Sequence, residues 1–197
     1  YQQILDVHGV VFEFGTRWGQ NLSLFTALRG IYEPFNRLRK IVGFDTFTGF
    51  PGISEQDNPN NKESSILKEG GFACTENYAE YLKKVIECQE QDNPLSHIKK
   101  FELRVGDATV EIEKYLQESP ETIVALAFFD FDIYKPTRKC LEAIQSHLVK
   151  GSVLAFDELS DHDLPGETLA LKEIFSLNKI RLKRFRYASR VSYFVLE

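Results

Sequence analysis

Residues 123–132 read IVALAFFDFD. Ile123 to Phe129 is apolar throughout, and the run stops at Asp130-Phe131-Asp132. A strand with one wet face alternates apolar and polar residues. An unbroken run is the pattern of a parallel strand covered on both faces. Parallel neighbours need crossover connections, so helices are expected on either side in the chain. Just upstream, Ala108 to Gln117 has helical spacing, and Phe101 to Val105 is a strand closed by Gly106-Asp107. Just downstream, Pro136 to Leu148 reads as a helix broken by Gly151, and Ser152 to Phe156 as a strand ending at Asp157-Glu158.

The alternation continues to both ends. Val10 to Phe14 is a strand entering the turn at Gly15, and Asn21 to Arg29 is a helix. Lys40 to Phe44 is a strand that stops at Asp45. Thr46 to Gly71 is rich in Gly, Pro and Asn and reads as a long surface loop, a length that is usually functional. Asn77 to Gln89 is a helix presenting Tyr78, Tyr81, Leu82 and Val85 on one face, and Glu167 to Leu177 is another. Arg181 to Tyr187 and Val191 to Leu196 are two strands joined by a very short turn, which permits only an antiparallel hairpin. The expected fold is α/β, one domain over residues 1–197, with a mostly parallel seven-stranded sheet finished by that hairpin.

Composition narrows the function. With 43% apolar and 27% charged residues the chain is a globular protein rather than a disordered one. A net charge of −5 does not suggest a nucleic-acid partner, and Lys179, Arg181, Lys183, Arg184, Arg186 and Arg190 read as a solvated face. No apolar run is long enough to cross a bilayer, so no membrane role is expected. Cys74, Cys88 and Cys140 have no paired spacing, which points to a reducing, cytoplasmic setting without zinc or disulfides. The chain begins at Tyr1 and contains no Met, so a preceding N-terminal part is expected. A homo-oligomer is left open.

Ligands of open parallel sheets bind beyond the carboxyl ends of the strands. Five strand ends here are acidic or Gly-rich: Glu13-Phe14-Gly15, Asp45, Asp107, Asp130 with Asp132, and Asp157-Glu158. Gly15 and Gly19 in EFGTRWG let backbone approach a ligand. Arg17 stands where the second Gly of a GxGxxG pyrophosphate cradle would be, which disfavours a dinucleotide. Asp45 suits two ribose hydroxyls, or caps the next turn. Asp107 suits an adenine amino group, with the Ala108 N–H beside it, or caps the helix that follows.

The segments EFGTRWG, GFDTFTGFP, RVGDA, FFDFDIYKPT, VLAFDEL and PGETLALKE resemble the macrocin/mycinamicin-type sugar O-methyltransferases in order and spacing. The resemblance runs from Val11 onward and implies a single Rossmann-like class I methyltransferase domain. It also implies S-adenosylmethionine as methyl donor, a small-molecule acceptor carrying a sugar hydroxyl, and Mg2+. On that resemblance Glu13, Gly15, Thr16 and Gly19 surround the methionine part of the donor. Asp45 holds its ribose, Asp107 and Ala108 its adenine, and Asp130 adjoins it. Asp130, Asp157 and Glu158 become the metal ligands. The chain departs from the family pattern twice: Glu158 replaces the usual second Asp, and Phe131 replaces the Gly of DGD.

Three neighbouring carboxylates repel one another unless a cation, a proton or a basic side chain such as Lys135, Arg138 or Lys139 intervenes, and hard oxygen ligands select magnesium-like ions. Asp132, Lys135 and His162 are candidates for the base, and Thr46–Gly71 for a cover over the acceptor. Competing readings are a non-catalytic S-adenosylmethionine-binding module, methylation of a phenol, a small acid or RNA, and an NAD-dependent oxidoreductase.

Overall fold

The computed structural model describes residues 1–60 and 64–197; residues 61–63, within the expected cover loop, lie outside the described residues. Among the described residues the strands and α-helices follow one another as β1 (Val10–Phe14), α1 (Gln20–Tyr32), β2 (Ile41–Asp45), α2 (Tyr78–Gln91), β3 (Phe101–Val105), α3 (Ala108–Glu118), β4 (Val124–Phe129), α4 (Tyr134–Ile144), β5 (Leu148–Phe156), α5 (Gly166–Ile174), β6 (Lys183–Arg184) and β7 (Ser192–Val195). The sheet order is β3-β2-β1-β4-β5-β7-β6. Strands β1 to β5 pair in parallel, and β7 runs antiparallel to both β5 and β6. Two apolar clusters form the core, one on each face. Phe12, Phe14, Val42, Phe129 and Phe156 face α3, α4 and α5, while Val11, Ile41, Ala125 and Val153 face α1 and α2.

One row of aromatic rings sets the level of the strand ends. Phe44, Phe14, Phe129 and Phe156 are register partners across four adjacent strands. Their ring centroids lie 5.0, 4.8 and 5.0 Å apart along the row. Side chains alternate across a strand, so the residue after each phenylalanine cannot share its face. Those residues are Asp45, Gly15, Asp130 and Asp157. The buried row thus aligns one Gly and three carboxylates along the edge of the sheet.

Three local expectations are corrected. The helix expected at Pro136 starts earlier, at Tyr134, because a first turn needs no N–H from proline. It ends at Ile144, not at Leu148: Leu148 already pairs with Val124 in β5, and Gly151 lies inside that strand at φ +92° against Val7 instead of breaking a helix. The inner face of α2 is Leu82, Ile86 and Glu90, whereas Tyr81 and Val85 are exposed. Glu90 is admitted there because Arg29 and Lys100 pair with it, an inner charged position that a polarity pattern hides. Strands β6 and β7 are shorter than expected and joined by residues 185–191 instead of a very short turn, because their ladder pairs only Lys183 with Tyr193 and Arg184 with Ser192.

Candidate functional site

The carboxyl ends of β1, β2, β4 and β5 surround a cleft of about 280 Å3. Glu13, Gly15, Thr16, Asp45, Asp107, Ala108, Asp130, Asp132, Asp157 and Glu158 all line it, so ten expected site residues are brought to one place. Gly19 and His162 are not among its lining residues. Gly19 sits at φ +76° just before α1, where an added Cβ would strike Leu82. His162 is exposed and lines a smaller neighbouring cavity with Asp57, Pro59 and Asp163.

On the β1–β2 side the cleft is a cradle of backbone and buried carboxylates. Asp45 accepts from the Arg17 N–H at 2.7 Å and the Phe47 N–H at 2.6 Å, so it does cap the turn and also ties the Gly turn to β2. Arg17 adopts φ +45°, and its guanidinium lies 4.3 Å from the Phe72 ring centroid, on the loop after β2. Asp107 caps α3 by accepting from Thr109 N at 2.9 Å and Oγ1 at 2.7 Å, while still lining the cleft. Both readings of each aspartate are therefore compatible. Glu13 is 1% exposed; burial, then Asp130 and Asp45, push its carboxyl well above the usual range. Glu13 Oε2 and Thr16 Oγ1 are buried without a hydrogen-bond partner among the described residues. Unsatisfied polar atoms aimed into a cleft are what a polar ligand completes.

On the β4–β5 side the acids converge. Ligand atoms of Asp130, Asp132 and Glu158 lie within 4.8 Å of one another. Asp157 lines the cleft beside them but is not in that converging set. Burial, then Asp157 and Asp132, raise Asp130 from 3.8 to about 7. Burial is also the first cause at Asp132 and Glu158, which share a tightly coupled environment in which a proton is retained. Arg190 Nη2 reaches Glu158 Oε1 at 3.1 Å, yet a half-exposed arginine does not outweigh burial and the neighbouring carboxylates of Asp132, Glu167 and Asp157. Glu158 Oε2 has no partner among the described residues. All donors are oxygens, so the set fits a hard divalent cation.

Four supporting residues were not foreseen. Glu167, fully buried at the start of α5, accepts from Phe131 N at 2.9 Å and Glu158 N at 3.4 Å, tying the ends of β4 and β5 together. Asp57 accepts from Tyr134 N at 2.5 Å and pins the expected cover to α4. Asn21 lines the donor side. Arg190, read as part of a solvated face, lines the cleft and also pairs with Asp161 at 3.0 Å. Lys139 and Arg138 are instead engaged with Glu142, and Arg138 also with Glu173. No sequence spacing links Arg190 or Asp57 to the acids; only the PGETLALKE segment marked Glu167.

Solved structures decide the family. The crystal structure of CalS11, a calicheamicin methyltransferase, is 42% identical with a TM-score of 0.94, covering 99% of this chain and 75% of that one. An apo structure of CalS11, described as a TDP-rhamnose 3′-O-methyltransferase, is 39% identical with a TM-score of 0.84, covering 99% and 74%. The chain belongs to the class I S-adenosylmethionine-dependent sugar O-methyltransferases. This methyltransferase also shares its fold with the O-methyltransferase NovP, at 16% identity and a TM-score of 0.68 over 97% of this chain and 73% of that one. No family model and no curated protein sequence matches it. The Rossmann-like α/β fold, the enzyme class and the donor are as the sequence led us to expect. No helix among the described residues is long and apolar enough to cross a membrane.

Asp45→Ala in this methyltransferase should lower affinity for S-adenosylhomocysteine ten- to a hundredfold. A charge-assisted hydrogen bond is worth about 1.5–3 kcal/mol. The melting temperature should fall modestly, because the Arg17 and Phe47 N–H groups lose their acceptor. Titration calorimetry reads the first effect; unchanged affinity would make Asp45 a turn residue only.

Proposed function

We propose that the chain methylates a hydroxyl of a sugar carried on a small molecule, with a magnesium-type cation assisting. One observation carries this reading: the converging acids of β4 and β5 adjoin the Gly-turn cradle of β1 and β2 in a chain 39% identical to a TDP-rhamnose 3′-O-methyltransferase. Glu13, Thr16 and the Gly15 backbone take the methionine part of the donor, Asp45 its ribose, and Asp107 with the Ala108 N–H its adenine. The donor supplies an activated methyl on sulfur. The protein must hold the acceptor oxygen in line with that methyl at about 3–3.5 Å and receive its proton.

Asp130, Asp132 and Glu158 hold the cation in this reading, which differs from the expected trio by exchanging Asp157 for Asp132. When bound, the cation neutralises the acids and lowers the pKa of a sugar hydroxyl. Asp157, in the cleft but outside the converging set, is left to take the acceptor proton. The described parts of the expected cover, 46–60 and 64–71, shield the acceptor from water, held at Asp57. Three unpaired cysteines support a reducing, cytoplasmic setting.

The test is methyl transfer to TDP-sugars and to neutral glycosides, followed by release of S-adenosylhomocysteine, with magnesium and with chelator. Product methylated on a sugar oxygen, only with the cation, is expected. Methylation of carbon or nitrogen would overturn the acceptor, and full activity in chelator would remove the cation.

A further inference from the structure

The acids of β4 and β5 already have a cation beside them, and it belongs to the protein. Arg190, near the end of the β6–β7 connection, lines the cleft. Its Nη2 stands 3.1 Å from Glu158 Oε1 and 3.0 Å from Asp161 Oδ2, so one nitrogen bridges two carboxylates. Those two acids are not alike. Glu158 is buried, belongs to the converging set and keeps Oε2 without a partner among the described residues. Asp161 lies outside that set and is not among the residues lining the cleft. Its carboxylate is fixed from behind, because Oδ1 accepts from Asp163 N at 2.9 Å and Leu164 N at 3.4 Å. The Asp163 N–H, and after it the charge of Arg190, hold the Asp161 carboxyl below the usual range.

A guanidinium does not give up its proton in a protein, so Arg190 is a permanent charge. A divalent cation on Glu158 would meet that charge at short range, in a partly buried place where salt screens weakly. Both cations would draw on the same carboxylate. Only one of them also has Asp161, which lies on the far side of Arg190 from the acids of the set. A displaced Arg190 therefore keeps a partner, and the exchange leaves no guanidinium unpaired beside the site.

We infer that Arg190 is a displaceable counter-ion, which occupies Glu158 while the acids lack a cation and withdraws onto Asp161 when one enters. This rests on the cation reading above and adds the regulation of that same site. Arg190 sets the threshold for loading. A monovalent ion brings no more charge than the guanidinium it must replace, so it gains nothing at Glu158. A dication brings twice the charge and draws on Asp130 and Asp132 as well. Asp161 is the landing place that makes the exchange reversible, and its two backbone N–H donors keep it in position.

Calorimetric titration of the intact protein with manganese tests this, together with melting temperatures with and without the metal. Removing a positive charge beside a dication site should tighten manganese binding by Arg190→Gln about tenfold or more. Arg190→Lys keeps the charge without the fork and should fall between that variant and the parent. Without metal, Arg190→Gln should melt below the parent, because the acids lose their counter-ion; with saturating manganese that deficit should close. Asp161→Asn should weaken manganese binding in the parent, where Arg190 loses its landing place, and much less in the Arg190→Gln background. Binding of S-adenosylhomocysteine verifies that each variant is folded. Manganese affinity of Arg190→Gln equal to or below that of the parent overturns the inference. So does a melting deficit that is the same with and without manganese, the mark of an arginine that only braces the fold. Absence of manganese binding by both proteins at millimolar concentration would bring down the cation reading, and this inference with it.

Discussion

Asp130→Asn should abolish turnover while leaving a folded protein that still binds S-adenosylhomocysteine. Asparagine keeps the shape but removes the charge that holds a cation, and a cation at the reacting oxygen is worth several kcal/mol. At about 1.4 kcal/mol per factor of ten, a thousandfold or greater fall follows. Glu158→Gln should do the same, because its Oε2 is a buried oxygen left unpaired by the protein. Manganese binding, followed by calorimetry, should be lost in both. Asp157→Asn should keep manganese and lose rate. A structural role for Asp130 predicts the opposite of one further result: without metal, Asp130→Asn should melt higher than the parent, because it relieves repulsion from Asp132 and Asp157. A lower melting point together with intact manganese binding would remove Asp130 from the ligand set.

The same crowding makes the metal-free protein less stable as the pH rises. A carboxyl whose pKa is raised by folding holds its proton more tightly in the fold than in the unfolded chain. Its stabilising share is complete below the unfolded value and is lost as the pH climbs to the folded one. For Asp130 that window runs from 3.8 to about 7. The slope is about 1.4 kcal/mol per pH unit inside that window and falls off as the pH nears the folded value, so pH 5 to 7 should cost about 2 kcal/mol from this group alone. Asp132 and Glu158 are shifted in the same direction. Glu33 and Asp161 are shifted the other way, but their contribution is already in place by pH 5. If the acids hold magnesium as proposed, saturating magnesium should flatten the curve. Urea denaturation at pH 5, 6, 7 and 8, with and without magnesium, measures this. Metal-free stability that is level or rising over that range would mean the acids are neutralised by something else.

Hydrophobic runs made β1, β2, β4 and the end of β5 legible, because strands buried on both faces leave little ambiguity of period, whereas the edge strand β3 is only half-buried. The site was legible for the same reason: each strand ends where burial ends, and the acids after Phe44, Phe129 and Phe156 stand there by register. What the sequence hid are the contacts made across long separations. Arg190 reaches Glu158 from the far side of α5, and Asp57 reaches Tyr134 across 77 residues, so neither leaves a local pattern. Glu90 was hidden for a related reason, since a charge is allowed inward only when a distant Arg29 meets it. The set of converging acids differed from the expected one by a single residue. Asp132 turns inward at φ +62°, a backbone state that spacing does not announce.

Gly15 carries a consequence for how errors spread through the site. A Cβ there would lie 1.9 Å from the carbonyl oxygen of Asp130, so the Gly turn after β1 rests directly on the backbone that bears the acids. The two halves of the site share one fixed datum, with no flexible segment between them. A substitution at Gly15 should therefore displace both halves of the site together, not one of them alone.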